Sequence, residues 1–176
     1  MSAPEFSRMV KPRALPAGAL ELVADEAERA ALAERFGVTA IAALVAKVDF
    51  ATGDDAVTAS GTLTATIEQP CAVTREPLTY DIREPLALRF VPEDAMPAYA
   101  PDEEVELDSE DLDEIAYAGD AFDLGEAIAQ TLALAIDPYR EGPGADAARE
   151  AAGIVGDDAP RDGPLADALA KLKSGE

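Results

Sequence analysis

Between residues 56 and 69 apolar and polar side chains alternate without a break. Val57, Ala59, Gly61, Leu63, Ala65 and Ile67 take one parity, and Thr58, Ser60, Thr62, Thr64, Thr66 and Glu68 the other. Successive side chains of a strand point to opposite faces, so the pattern predicts an antiparallel strand with one face on a core and one in water. A further strand is predicted over 78–90, where Leu78, Tyr80, Ile82, Leu86, Leu88 and Phe90 share a face. Glu84 interrupts that face beside Pro85, which predicts a bulge or an edge position. Residues 38–50 fit two periods: Ile41, Leu44, Val45 and Val48 match a helix, and Leu44, Ala46, Val48 and Phe50 match a strand. Their β-branched content and the Thr-Gly-Asp-Asp turn at 52–55 favour a strand over 43–51. A short strand over 5–10, with Phe6 and Met9 inward, brings the sheet to about four strands.

Helical spacing occurs twice. Asp25 stands at an N-cap position with Glu28 three residues on, and Ala27, Ala31, Leu32 and Phe36 follow as a stripe that Gly37 ends. Asp25 and Arg29 are spaced for an ion pair on this helix. Asp123 and Glu126 repeat the start signal before Leu124, Ile128, Leu132 and Ala135, and Pro138 closes the second helix. Together these elements predict an α+β fold. Its antiparallel sheet of about four strands could curl toward a partial barrel, with two main helices on one face.

Composition then sets the boundaries. The chain has 176 residues, enough for one domain. That domain is expected over 1–140, including an acidic loop at about 93–120 around PDEEVELDSEDLDE. The glycine, alanine, aspartate and proline content from 141 to 176 predicts a disordered, flexible tail, with a short amphipathic helix over 164–173 carrying Leu165, Leu169 and Leu172. The net charge of −22 favours a soluble monomer, repels phosphate backbones and attracts basic partners. No run of uncharged apolar residues approaches the roughly eighteen that a membrane span needs, and the N-terminus lacks the apolar core of a signal peptide. A cytoplasmic protein without membrane contact is expected.

Candidate chemistry centres on IEQPCAVTREPLTYDI, residues 67–82, where the lone Cys71 lies between two prolines. One cysteine forms no internal disulfide, and with no histidine in the chain it has neither a catalytic base nor a co-ligand for zinc. The acidic run lacks the spaced oxygens and central glycine of a calcium loop. No catalytic, cofactor or metal residues are therefore assigned, and no cofactor is expected. Pro70 and Pro77 cannot donate ladder bonds and bracket a connection that Gln69, Thr74 and Glu76 can satisfy with side-chain hydrogen bonds. Positive charge collects weakly: Lys47, Arg83 and Arg89 fall on outward strand faces, with Arg75 at the turn and Arg8 near the start. This is either a small contact patch or a solvated face balanced by Asp49, Asp81 and Glu68.

The run Gln69-x-Cys71-x-Val73-Thr74-x-Glu76-Pro77, after a strand with Gly61-x-Leu63-x-Ala65, resembles the hallmark of the YceD family. ERAALAERFGV upstream and FDLGEAIAQTLALAIDPY downstream occur in the order found there, and the resemblance covers about residues 5–140. Arg75 stands where that motif usually has an apolar residue, and the cysteine-containing C-terminal end of many relatives is absent. The resemblance implies a role in accumulation of 23S ribosomal RNA, hence in bacterial ribosome biogenesis, and implies no known catalysis. On this reading the chain is a non-enzymatic factor that binds a basic ribosomal protein or an assembly factor. The alternative is direct binding of rRNA through Lys47, Arg75, Arg83 and Arg89. A third reading, a thiol enzyme using Cys71, requires a shifted thiol pKa.

Overall fold

The computed structural model of the chain describes residues 5–53, 56–95, 114–154 and 172. In chain order its strands and helices are β1 (Met9–Val10), β2 (Leu20–Val23), α1 (Glu26–Phe36), β3 (Ala40–Thr52), β4 (Val57–Pro70), β5 (Pro77–Pro92), β6 (Glu114–Tyr117), β7 (Phe122–Asp123), α2 (Leu124–Ala135) and α3 (Ala145–Ala151). The fold is α+β, with five strands in one sheet ordered β2-β3-β4-β5-β6 and a two-stranded ribbon of β1 and β7.

Two expectations about the sheet are corrected. It has five strands and is mixed, because β6 runs parallel to β5 along Arg89–Pro92. Parallel neighbours need a long crossover, and residues 93–113 are long enough to supply one. The sheet is also open: β2 ends it on one side, β6 and the part of β5 that β6 does not cover end it on the other, and no barrel closes among the described residues.

Of the bulge or edge position expected at Glu84 and Pro85, the edge is found and the bulge is not: among the described residues this part of β5 pairs on one side only, with β4. The β4–β5 register runs unshifted from Val57↔Phe90 to Pro70↔Pro77, and the shift lies instead on β3, between Ile41 and Ala43. Backbone alternation explains why Pro85 is tolerated. Cys71 N–H donates to the Glu76 carbonyl at 2.7 Å, which makes that position a hydrogen-bonded pair. Such pairs alternate along an antiparallel ladder, so even-numbered β5 residues bond to β4 and odd-numbered ones face away. Pro77 and Pro85 are odd, and neither removes a β4–β5 bond.

Helix α1 forms as its capping residues dictate. Asp25 Oδ1 accepts from Glu28 N–H at 2.9 Å, and Glu28 Oε2 accepts from Asp25 N–H at 2.8 Å. Gly37 ends the helix at φ 68°, a left-handed conformation that glycine adopts without Cβ strain. The expected Asp25–Arg29 pair does not form. Arg29 reaches instead to the carbonyls of Ala24, at 2.7 Å, and Ile41, at 3.1 Å, satisfying acceptors that the sheet leaves free there.

The core lies between the sheet and both helices. Leu44, Ala46 and Val48 of β3, Leu63, Ala65 and Ile67 of β4, and Ile82, Leu86 and Phe90 of β5 pack with Leu32 of α1 and Leu124, Ile128 and Leu132 of α2. Phe122 stacks on Phe90 with ring centroids 4.0 Å apart. The opposite face of the sheet carries the hydroxylated parity of β4, where Ser60 and Thr64 are exposed. Of the strand expected over 5–10 only Met9–Val10 forms, and it pairs with β7 outside the main sheet; Phe6 and Val10 are buried, but Met9 is 63% exposed, so its expected inward orientation is corrected. Parity decides this, since Met9 and the buried Val10 are neighbours on one strand.

Residues 141–154, assigned to the flexible tail by composition, carry regular structure. They include α3, and Ala145 is buried. Part of the expected acidic loop is strand, namely β6. The acidic residues 101–113 and, apart from Leu172, the tail helix over 164–173 lie outside the described residues.

Candidate functional site

The motif residues form the hairpin end between β4 and β5, and they clasp the chain that leaves α2. Gln69, at 4% exposure, is the one buried polar side chain among the described residues. Its Nε2 donates to the Asp137 carbonyl at 2.8 Å, and its Oε1 accepts from the Tyr80 hydroxyl at 2.9 Å. Arg140 lies over the Tyr80 ring, 3.9 Å from its centroid. A cation at that distance is attracted by the ring face. Burial raises the pKa of Tyr80, while the charge of Arg140 works in the other direction.

Cys71 completes the clasp from within. It is fully buried, and its sulfur accepts from the N–H groups of Thr74 at 3.4 Å and Gly142 at 3.3 Å. Ala72 N–H donates to the Arg140 carbonyl at 3.0 Å. The thiol pKa is pulled down to about 7 by hydrogen bonding from Thr74, side chain first and backbone next, and then from Gly142 N–H. No histidine or cation is involved, and the donors are the Thr74 hydroxyl and nearby backbone N–H groups, one of them 71 positions away in the chain. The sulfur nevertheless has no exposed surface to present to a substrate.

The turn itself is held locally. Arg75 N–H donates to the Cys71 carbonyl, and Glu76 N–H donates to Thr74 Oγ1 at 3.3 Å. Arg75 takes a positive φ of 63°, a conformation that costs a side chain about 1–2 kcal/mol. Val73 is half-buried in the same turn, and Pro77 begins β5. Gly142 packs closely enough that a Cβ would sit 2.7 Å from Leu78 Cδ2. The six motif residues Gln69, Cys71, Val73, Thr74, Glu76 and Pro77 are thus brought together in one clasp.

A second clasp fixes the start of α2. Asp123 Oδ1 accepts from Glu126 N–H as the helix cap and from Arg8 N–H at 2.8 Å, while Oδ2 accepts from Ser7 Oγ at 2.6 Å. Gly125 lets the N-terminal segment approach, since a Cβ there would lie 2.4 Å from the Phe6 carbonyl oxygen. Glu126 pairs with Arg35 of α1 at 2.7 Å. The Asp-Leu-Gly-Glu run is therefore a three-way junction of segment 5–10, α1 and α2.

The basic residues do not assemble into a patch. Arg8 is taken up by a two-pronged contact to Glu28, at 2.6 and 2.9 Å, so its expected place in a contact surface is corrected. Lys47 pairs with Glu21 at 3.1 Å, and Arg89 with Glu114 at 2.9 Å. Lys47, Arg83 and Arg89 do share the polar sheet face, but Arg89 is six residues along β5 from Arg83, about 20 Å at strand rise. Arg75 is at the hairpin tip, away from both. Arg75 and Arg83 have no carboxylate partner among the described residues.

Tyr80, Asp137, Arg140 and Gly142 are the site residues that sequence reasoning missed. The Asp-Pro-Tyr-Arg-Glu-Gly run after α2 was a usable pointer, as a turn-rich segment too polar for a core yet followed by alanines. Among the described residues no cluster of three or more cysteine or carboxylate side chains could hold a metal ion, and no helix is long and apolar enough to cross a membrane.

Residues 59–173 match the family described as Large ribosomal RNA subunit accumulation protein YceD. That span takes in both sides of the hairpin clasp and the whole of α2. No curated protein and no solved structure matches the chain.

Proposed function

Because this chain belongs to the YceD family, whose name assigns it to accumulation of large-subunit ribosomal RNA, we propose that it works as a non-enzymatic, cytoplasmic factor that binds a basic ribosomal protein or assembly complex. The observation that carries this reading is the disposition of charge. Lys47 and Arg89, which would anchor an RNA backbone on the sheet, each face a carboxylate on a neighbouring strand. The net charge of −22 meanwhile favours cationic partners. Cys71 fits a structural role in this account, as an acceptor for two backbone N–H groups.

The direct test mixes the purified chain with individual ribosomal proteins and with 23S rRNA fragments at low salt. Submicromolar binding to a basic protein, and rRNA binding weaker by tenfold or more, is the expected result (about 1.4 kcal/mol in favour of protein). Tight rRNA binding that Lys47→Ala, Arg83→Ala and Arg89→Ala each weaken would overturn it. That outcome would favour the second reading, direct rRNA contact, for which Arg75 and Arg83, without a carboxylate partner among the described residues, are the supporting observation. In cells, Cys71→Ser should preserve 23S rRNA levels as long as the protein folds, whereas a thiol enzyme would lose its function.

A further inference from the structure

The outer edge of β5 presents backbone groups that no strand takes up among the described residues. β6 pairs only with Arg89–Pro92, and residues 77–88 are paired on one side alone, by β4. By the alternation set at Cys71 and Glu76, odd-numbered residues aim outward. Thr79, Asp81, Arg83 and Ala87 each offer an N–H and a C=O there, and Pro77 and Pro85 a C=O only. An exposed edge of this kind is a template for another strand. The side chains of Thr79, Asp81 and Arg83 lie exposed on the polar face, and those of Tyr80 and Glu84 are half-buried on the other.

The edge is complementary to itself. Lay a second copy antiparallel about a two-fold axis at Ile82, and Asp81 of each copy stands opposite Arg83 of the other. Ile82 meets Ile82, and Tyr80 stands opposite Glu84. Odd residues face odd residues, so the outward backbone groups pair as a ladder requires. Moving the register by two residues in sum sets Asp81 against Asp81 one way and Arg83 against Arg83 the other, and like charges directly opposite are destabilising. Of these registers only the one centred on Ile82 sets unlike charges opposite each other, and the interface is isologous and closed, as a two-fold dimer needs. Arg83 has no carboxylate partner of its own among the described residues. Asp81 uses Oδ1 to accept from Thr66 Oγ1 at 2.7 Å and keeps its other oxygen available.

We propose that this chain pairs with a second copy of itself through the β5 edge, Asp81 of each copy against Arg83 of the other. The proposal does not depend on the ribosomal reading. Pro85 removes two of the possible ladder bonds, and the −22 charge of each copy opposes approach, so the dimer is weak and reversible. Salt screens charges separated by more than about 8–10 Å more than it screens contact pairs. Dimerisation should therefore strengthen from low to moderate salt. Capture of a basic strand from another protein on the same edge would weaken instead.

Sedimentation equilibrium of the full chain at up to about 1 mM, the weak end of measurable affinity, tests this across a salt series. A monomer–dimer equilibrium that tightens with salt is expected. Asp81→Arg and Arg83→Asp should each weaken it by about tenfold, since two symmetric pairs become repulsive at once. The double variant restores both pairs with exchanged signs and should recover most of the affinity. Amide protection at Thr79, Asp81 and Arg83 should rise with concentration. A chain that stays monomeric throughout would overturn the proposal. So would single variants that dimerise normally, or a double variant that retains the wild-type circular dichroism spectrum yet dimerises no better than the singles.

Discussion

Replacing Gln69 with leucine removes the polar centre of the hairpin clasp while keeping its approximate volume. Two hydrogen bonds go, at 2.8 Å to the Asp137 carbonyl and 2.9 Å from the Tyr80 hydroxyl. A buried group left without its partner costs about 1–3 kcal/mol. Asp137 is exposed and Tyr80 half-buried, so water recovers part of each loss. The expected net cost is about 1.5–3 kcal/mol, a fall in Tm of roughly 3–12 °C for a chain of this size. Tyr80→Phe removes one of the two bonds and should cost about 1 kcal/mol. Urea denaturation of the wild type, both single variants and the double variant forms a cycle. The double variant should cost clearly less than the sum of the singles, because both remove the same bond. Loosening of the clasp has its own readout. Arg140 leaves the Tyr80 ring more often in Gln69→Leu, so trypsin should cut after it sooner than in the wild type. A Gln69→Leu protein within about 0.3 kcal/mol of wild type, with unchanged cleavage, would refute the clasp as a stabilising contact.

Other expectations follow from single positions. Gly125→Ala gains about 1 kcal/mol of helix propensity, yet its Cβ would sit 2.4 Å from the Phe6 carbonyl oxygen. A net loss of about 2 kcal/mol in thermal or urea unfolding is expected from the forced shift. Arg75→Gly relieves the positive φ of 63° and should stabilise by about 0.5–1 kcal/mol in the same assay. Glu28 and Glu126 have pKa values lowered mainly by hydrogen bonds from Arg8 and Arg35 respectively. Their folded pKa lies below the unfolded one, so their contribution is present above the unfolded carboxylate value of about 4.3 and is lost as pH falls through the folded value. A Glu28→Gln/Glu126→Gln protein should lose less stability than wild type between neutral and acid pH, as followed by urea midpoints.

The parts of the fold written in local periodicity were legible, and those made by distant meetings were not. The alternation of β4 and the Asp25/Glu28 capping pair carry their own geometry within a few residues. β2, β6 and β7 have two to four residues each, too short for a period to emerge, and their existence depends on a neighbour already in place. At Pro85 the pattern left a bulge and an edge position open, and the edge was the outcome, because a proline disrupts a ladder only if its amide faces it, and that parity is fixed at the far end of the hairpin by Cys71 and Glu76. The candidate site shows the same division. The motif residues could be named, and their role as a satisfied turn follows from residue type. What they hold could not be read, since Gly142 is 71 positions from Cys71 and nothing periodic links them.

The same contacts constrain what the surface can do. The chain has 14 basic residues against 36 acidic ones. Arg8, Lys11, Arg35, Lys47, Arg89 and Arg149 stand in ion pairs, Arg29 is bound to two carbonyls, and Arg140 lies on a ring. Most of the positive charge is thus spent within the protein, much of it tying one element to another. An acidic residue that joins such a pair leaves the field, and so does its cation, so pairing cannot reduce the excess of 22 negative charges. A partner arriving from a distance meets that excess. It reaches individual cations such as Arg83 only at contact, inside the screening length of about 8–10 Å. Long-range selection by this molecule therefore favours cationic partners, and Arg83 can act only after encounter, in setting the register of whatever strand or chain has already arrived.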